Sequence, residues 1–383
     1  MSNTRLIICA LTLACMLAPA SAHARNRNAY ITNNTDGTVS VIDTRTNTVT
    51  ATIPVGAPVY GVAVAPHGRK VYVIADNTGT GGVSSAVAVI DAATNTVSAM
   101  ITIGPGATGV AASRKKVYAT IQATNTVSVI DRATNTVVDS ISVGNNPYGV
   151  VVSPDSSKVY VADANFNTQN QSGTVSVIDA KTDAVTATIP VGVQPFGVAI
   201  TPDGSKVYVA NSMGNTVSVI DTATNAVIAT ISATNPFGVT VTPDGSKVYV
   251  SDDISGTVSV IDTATDTVIA TIPVATNPIG VSSTADGSKV YVVNFGTNAV
   301  SIVDTATNTV VGFPIPVGGG PIGFGVFIQL PPEFAGVPGS KNCHGKSVSA
   351  LAKEFGGLDA AAAALGFSDV QGLQDAIQAF CEG

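Results

Sequence analysis

An all-β fold, a seven-bladed β-propeller of four-stranded antiparallel blades with a small α-helical C-terminal appendage, is predicted by three observations. The tripeptide Val-Ile-Asp, or a near variant, ends at Asp43, Asp91, Asp131, Asp179, Asp221, Asp262 and Asp304, at intervals of 40 to 48 residues. A second marker, Tyr followed by small or β-branched residues, falls once before each of these seven Asp residues, from Tyr30 to Tyr291. No helical period survives any window before residue 340, which leaves short strands as the repeating element.

Each unit contains four β-rich runs, here called A to D. In the fifth they are 196–201 (FGVAIT), 206–210 (KVYVA), 216–220 (TVSVI) and 226–231 (AVIATI). Val, Ile, Thr and Tyr dominate, as a pleated and packed surface favours. A and B are joined by Thr-Pro-Asp-Gly at 201–204 and again at 242–245, where Pro presets φ and Gly accepts a positive one. C and D are joined by Asp-Thr-Ala-Thr-Asn or close relatives. The fifth position of that turn is Asn47, Asn95, Asn135, Asp183, Asn225, Asp266 or Asn308, the residue types that best tolerate the left-handed region, so a bulged hairpin is expected.

Four-stranded meanders repeated seven times are propeller blades. The repeat enters on a B-type run (29–32) and leaves on an A-type run (323–329), so the last strand must join the first three to close the ring. These residues resemble the YVTN-type β-propeller repeat family of exported bacterial and archaeal proteins. The likeness is carried by Asn235–Val250 (NPFGVTVTPDGSKVYV) with Thr257–Asp262 (TVSVID), and it recurs over residues 29–329. It implies a propeller similar to those of surface-layer proteins and the large subunit of quinoprotein amine dehydrogenases. It implies little about activity, because one propeller scaffold hosts many functions.

Outside the repeat, residues 1–24 read as a secretory signal: Arg5, an apolar core at Leu6–Leu17, and small residues at Ala20-Ser21-Ala22 or Ala22-His23-Ala24. The expected organisation is a signal at 1–24, the propeller at 25–330, a linker at 331–340 and a helical tail at 341–383. After removal of Cys9 and Cys15 with the signal, Cys343 and Cys381 remain as a pair in an oxidising compartment. Their disulfide would close a loop of about 38 residues, worth roughly 3–4 kcal/mol in the chain-entropy view. Helices are expected at 347–355, 358–365 and 368–380, with Ser368 and Gln371 as a capping box and Val370, Leu373, Ile377 and Phe380 on one face.

Composition narrows the function. The chain carries a net charge of −7 and no Lys/Arg run longer than three, so a nucleic-acid groove is excluded. No later segment reaches eighteen apolar residues, so no membrane span is expected in the mature chain, which is read as a periplasmic or secreted monomer. All three Glu lie after residue 330, there is no Trp, and His occurs three times. Propeller lactonases and lyases need a Glu/Asp/Asn metal set or a His/Glu pair at the channel mouth, and no such set is present. No cofactor and no metal is expected.

Strand alternation puts the D-to-A and B-to-C loops on one face and the tight A-to-B and C-to-D turns on the other. Asp203, Asp244 and Asp286 each precede a Lys by three residues and read as self-compensating pairs on a solvated rim. The loop face varies, with B-to-C insertions at 76–85 and 163–173, and variable loops on a rigid scaffold commonly carry binding. Tyr60, Tyr148, Phe196 and Phe237 stand just before the Gly of their A strands. They either wedge between blades or line the channel mouth as a ligand-binding ring. Asp163, Asn165 and Asn167 match the first ligands of a calcium loop, but Thr168 and Thr174 replace its Gly and Glu. Asp252 and Asp253 add carboxylates to the same face. The sequence therefore points to an exported, non-catalytic binding scaffold for an envelope or extracellular protein or small ligand. The alternatives are an Asp-based hydrolase or lyase and a purely structural surface component.

Overall fold

The computed structural model describes residues 28–66, 68–77, 84–166, 171–328, 344, 347–349, 351–352, 357–365 and 369–382. His67, Asn167, Cys343 and the signal region lie outside them. Two compact units divide the chain, one holding residues 27–334 and the other the C-terminal segment from 335 together with residues 1–26.

The first unit is a seven-bladed propeller. The fifth blade pairs Pro195–Ile200, Lys206–Asn211, Thr216–Asp221 and Ala226–Ser232 in sequence order, antiparallel throughout. Strands B and C are buried almost from end to end, whereas D is largely exposed and inserts its penultimate Ile. The apolar core is therefore a series of layers between blades. One layer joins Tyr118, Val127, Val129 and Ile141 of the third blade to Val150, Val159, Val161 and Ile178 of the fourth.

Both sequence markers have a physical role. The Asp of Val-Ile-Asp caps the C-to-D turn: Asp131 Oδ1 accepts the Ala133 and Thr134 N–H groups at 3.0 and 2.9 Å. The fifth turn residue is left-handed in all seven blades, with φ between 52° and 56°. A bulge follows in strand D, as at the register shift between Val219 and Ile220. The seven marker tyrosines are fully buried. Tyr208, Tyr249 and Tyr291 donate their hydroxyls to Asp266, Asn308 and Asn47, the left-handed residues of the following blade, at 2.6, 2.8 and 2.6 Å.

Two of the rim pairs expected from the sequence, Asp203 with Lys206 and Asp244 with Lys247, are overturned. Lys206 does not compensate Asp203; its Nζ reaches the next blade, donating to Asp266 Oδ2 and the Thr263 carbonyl, both at 2.8 Å. Lys116 does the same to Asp183 at 2.6 Å and Lys247 to the Thr305 carbonyl at 2.6 Å. Asp203 instead accepts the Thr201 and Ser205 hydroxyls of its own turn. Lys116, Lys206 and Lys247 therefore each fasten a blade to its successor.

Ring closure uses residues 321–328. Tyr30 N–H donates to Phe327 O at 2.8 Å, Ile322 N–H to Thr32 O at 2.9 Å, and Ala29 bridges Ile328. The segment is not the continuous strand expected at 323–329. Gly323 and Gly325 have φ of +53° and +113°, which break the extended backbone and set Phe324 between them. On its other side it runs parallel to the second blade, where Val62 N–H donates to Phe324 O at 2.8 Å.

In the second unit, helices span Leu358–Leu365 and Val370–Glu382, and residues 347–349 and 351–352 are also helical. Leu373 and Ile377 are buried as the expected stripe requires. The observed N-cap is Asp369, whose Oδ1 accepts the Gly372 N–H at 2.8 Å, while Gln371 donates to Asp375. Ser368 lies outside the described residues. No described helix is long and apolar enough to cross a membrane.

Candidate functional site: an aromatic cluster on the loop face

The innermost strands approach one another so closely that only glycine fits at the second position of the aromatic–Gly pair. A Cβ on Gly109 would lie 2.1 Å from the Tyr148 carbonyl oxygen, one on Gly149 2.1 Å from that of Phe196, and one on Gly197 2.2 Å from that of Phe237. This spacing carries the preceding side chains toward the ring axis, where they meet.

Tyr148 and Phe196 have ring centroids 4.7 Å apart, as do Phe196 and Phe237. Phe324, from the closing segment, lies 5.2 Å from Tyr148 and 5.7 Å from Phe237, edge to face. Phe324 belongs to the first blade and its partners to the fourth and sixth, so these contacts cross the ring. Tyr148, Phe196 and Phe237, three of the four aromatics read as either blade wedges or a channel-mouth ring, thus meet across the ring. Tyr60 packs partly against the layer between the second and third blades. Burial pushes the Tyr148 phenol up to about 12, with a smaller contribution from Tyr60, so it is a neutral donor at physiological pH.

The cluster continues outward. Phe166 in the B-to-C loop of the fourth blade packs, tilted, against Phe196 with ring centroids 5.7 Å apart and is 39% exposed. The same loops of the next three blades present Met213, Ile254 and Phe295, which are 54%, 75% and 43% exposed. The B-to-C loops of four consecutive blades thus each hold one large apolar side chain in water, while the outer D-strand side of the same blades exposes others, among them Ile228, Ile269 and Phe313.

The acidic candidates have a different setting. Asp163 is 1% exposed and its Oδ2 accepts the Ser176 and Thr174 hydroxyls at 2.7 and 3.0 Å. Asp252 is 2% exposed and accepts from Ser259 and Thr257 in the same way. Asn33 and Asn211 occupy the equivalent strand-B end and donate to the paired hydroxyls instead. Asp163 and Asp252 are therefore parts of a B-to-C clasp rather than loop ligands. Desolvation raises both carboxyls, that of Asp163 to about 6. Asn165 is left-handed; its amide donates to the Ser172 carbonyl and its Oδ1 accepts from Asn145. Asp253 accepts from Asn277 Nδ2 at 3.1 Å. Among the described residues, no three His, Cys, Asp or Glu side chains are grouped to hold a metal.

Sequence reasoning missed Phe324 and Phe166. The run Ile322-Gly323-Phe324-Gly325 offers two registers for the residue–Gly pair of an A strand, and only the second, Phe324-Gly325, supplies an aromatic that reaches the axis. Phe166 was enclosed in the calcium-like string.

No protein-family model and no curated protein matches the chain. Among solved structures, hydrazine synthase of Kuenenia stuttgartiensis is similar at 22% identity and a TM-score of 0.64, over 75% of this chain and 99% of that one. A functionally unknown protein from Desulfotomaculum acetoxidans is similar at 17% identity and a TM-score of 0.62, over 80% and 99%. At these identities the likeness establishes the propeller fold alone.

Proposed function

We propose that the chain is an interaction scaffold of the cell envelope or exterior that holds a partner on the D-to-A and B-to-C loop face. The observation that carries this reading is the axial aromatic cluster, continued into water by four exposed apolar side chains on successive blades. A solvent-facing apolar surface of that kind is costly unless something covers it. The propeller supplies a rigid frame: lysine and tyrosine links tie the second to seventh blades each to its successor, and Thr32 and Asn34 tie the first blade to the second.

Export rests on the signal-like residues 1–24 and on the resemblance to the exported YVTN-type repeat family. In that compartment Cys343 and Cys381 would form the staple of the tail. The Asp-based catalytic alternative is weakened by enclosure. Asp163 and Asp252 are buried behind hydroxyl clasps, out of reach of a substrate on the loops.

The test is a pull-down from envelope extract with the mature protein in three forms. One is intact, one lacks residues 341–383, and one carries Tyr60, Tyr148, Phe196 and Phe237 changed to Ala. A partner retained by the first two and lost with the third is the expected result. A partner lost only with the tail would move the function to the helices and contradict this reading.

A further inference from the structure

Among the described residues, the propeller's cations are confined to one face. The six lysines that open B strands, from Lys70 to Lys289, start at A-to-B turns. Arg45, Arg69, Arg114, Lys115, Arg132 and Lys181 lie in turns of that same side. The opposite, loop-bearing face has no Lys or Arg among the described residues. Residues 78–83 and 167–170, the remainder of its two longest loops, contain none in sequence. Asp36, Asp76 and Asp253 stand in or at the ends of its B-to-C loops.

The turn face has many Asp among its cations, so the two signs nearly balance there. The loop face has acids alone, and on it stand the exposed Phe166, Met213, Ile254 and Phe295. A partner bearing Lys or Arg meets no like charge on approach, whereas an acidic partner is repelled, so the sign of the face selects its occupant. Four apolar side chains from four separate blades form a broader footprint than a small molecule covers.

We propose that this face docks a basic segment of a partner protein. Apolar side chains of the segment cover the Phe166–Phe295 arc, and its Lys or Arg groups lie toward Asp36, Asp76 and Asp253. The inference rests on the interaction reading given above and adds the chemistry of the partner.

The experiment uses a fluorescent amphipathic Lys/Leu peptide as probe, read by anisotropy against the full-length mature protein. A Glu/Leu peptide and a Lys/Ser peptide serve as comparisons. Saturable binding of Lys/Leu alone is expected. It should weaken about tenfold in the doubly substituted Ile254→Ser/Phe295→Ser protein, and about threefold in Asp253→Asn. It should also fall as salt rises from 0.05 to about 0.5 M, as the Debye length shortens. Lys181→Ser, on the other face, should bind as the native protein does, and matching thermal melts establish that each variant is folded. Equal binding of Glu/Leu, indifference to both loop-face variants, or capture of zwitterionic vesicles in place of the peptide would overturn the proposal. If the pull-down yields a loop-face partner whose capture ignores salt and Asp253→Asn, the scaffold reading stands and the basic-partner inference falls.

Discussion

Replacing Asp163 by Asn should stabilise the protein at neutral pH. The buried carboxyl is raised from 3.8 to about 6 because desolvation outweighs the Ser176 and Thr174 hydroxyls on Oδ2 and the backbone N–H groups of Gly144 and Ser176. Its Oδ1 meets no donor among the described residues. A folded-state value above the unfolded one means that folding favours the protonated form. That stabilisation is complete below about pH 4 and disappears as pH rises through about 6. At pH 7.5 the ionised carboxylate therefore costs roughly 3 kcal/mol relative to its protonated state. Asn removes that cost and, like Asn211 with Thr216 and Ser218, can donate to both hydroxyls. Thermal or denaturant unfolding of native and Asp163→Asn protein at pH 4.5 and 7.5 provides the assay. The variant should gain about 1–3 kcal/mol at pH 7.5 and little at pH 4.5. Turn carboxyls such as Asp203 are held low by hydroxyl and backbone donors, so they lose stability only below their usual range and cancel in the difference. A variant less stable than the native protein at pH 7.5, or a difference that does not change with pH, would refute the reasoning.

Three further outcomes follow from the inter-blade links and the closure. Tyr208→Phe should cost about 1–2 kcal/mol, because Asp266 Oδ1 loses its donor, whereas Tyr118→Phe should be near neutral because its buried hydroxyl has no partner among the described residues. Paired denaturant melts distinguish the two. Gly109→Ala should cost at least about 1–3 kcal/mol, since the new methyl would enter the Tyr148 carbonyl; a melt within error of native would exclude the close approach. Truncation before Ile322 should yield an aggregating protein, as the first blade loses the bonds from Tyr30 and Thr32 to the closing segment. Size-exclusion chromatography showing a monodisperse, cooperatively unfolding truncate would contradict ring closure.

What the sequence made legible was local and periodic. The left-handed turn positions from Asn47 to Asn308 were readable because Asn and Asp recur there and few other residues tolerate that backbone. The seven blades followed from the count of markers. Longer-range partners were not readable. Lys206 stands three residues from Asp203, yet its carboxylate partner, Asp266, is 60 positions away, and nothing local distinguishes the two. Asp163 resembled a loop ligand because it precedes Ala-Asn-Phe-Asn, but it ends strand B, where pleat and register turn its carboxyl onto Ser176. Phe324 was concealed by a two-residue ambiguity in register that only the positive φ of Gly323 and Gly325 resolves. The one-sided placement of cations is present in the sequence but becomes visible only when turns and loops are sorted onto two faces.

The measurement closest to the central claim is hydrogen exchange of the protein with and without the partner retained in the pull-down. Protection is predicted at the loop-face segments 144–148, 164–166, 212–215, 253–256 and 295–298. The C-to-D turns, such as 43–48 and 262–267, should exchange as in the free protein. Protection confined to those turns would place the partner on the opposite face and contradict the account.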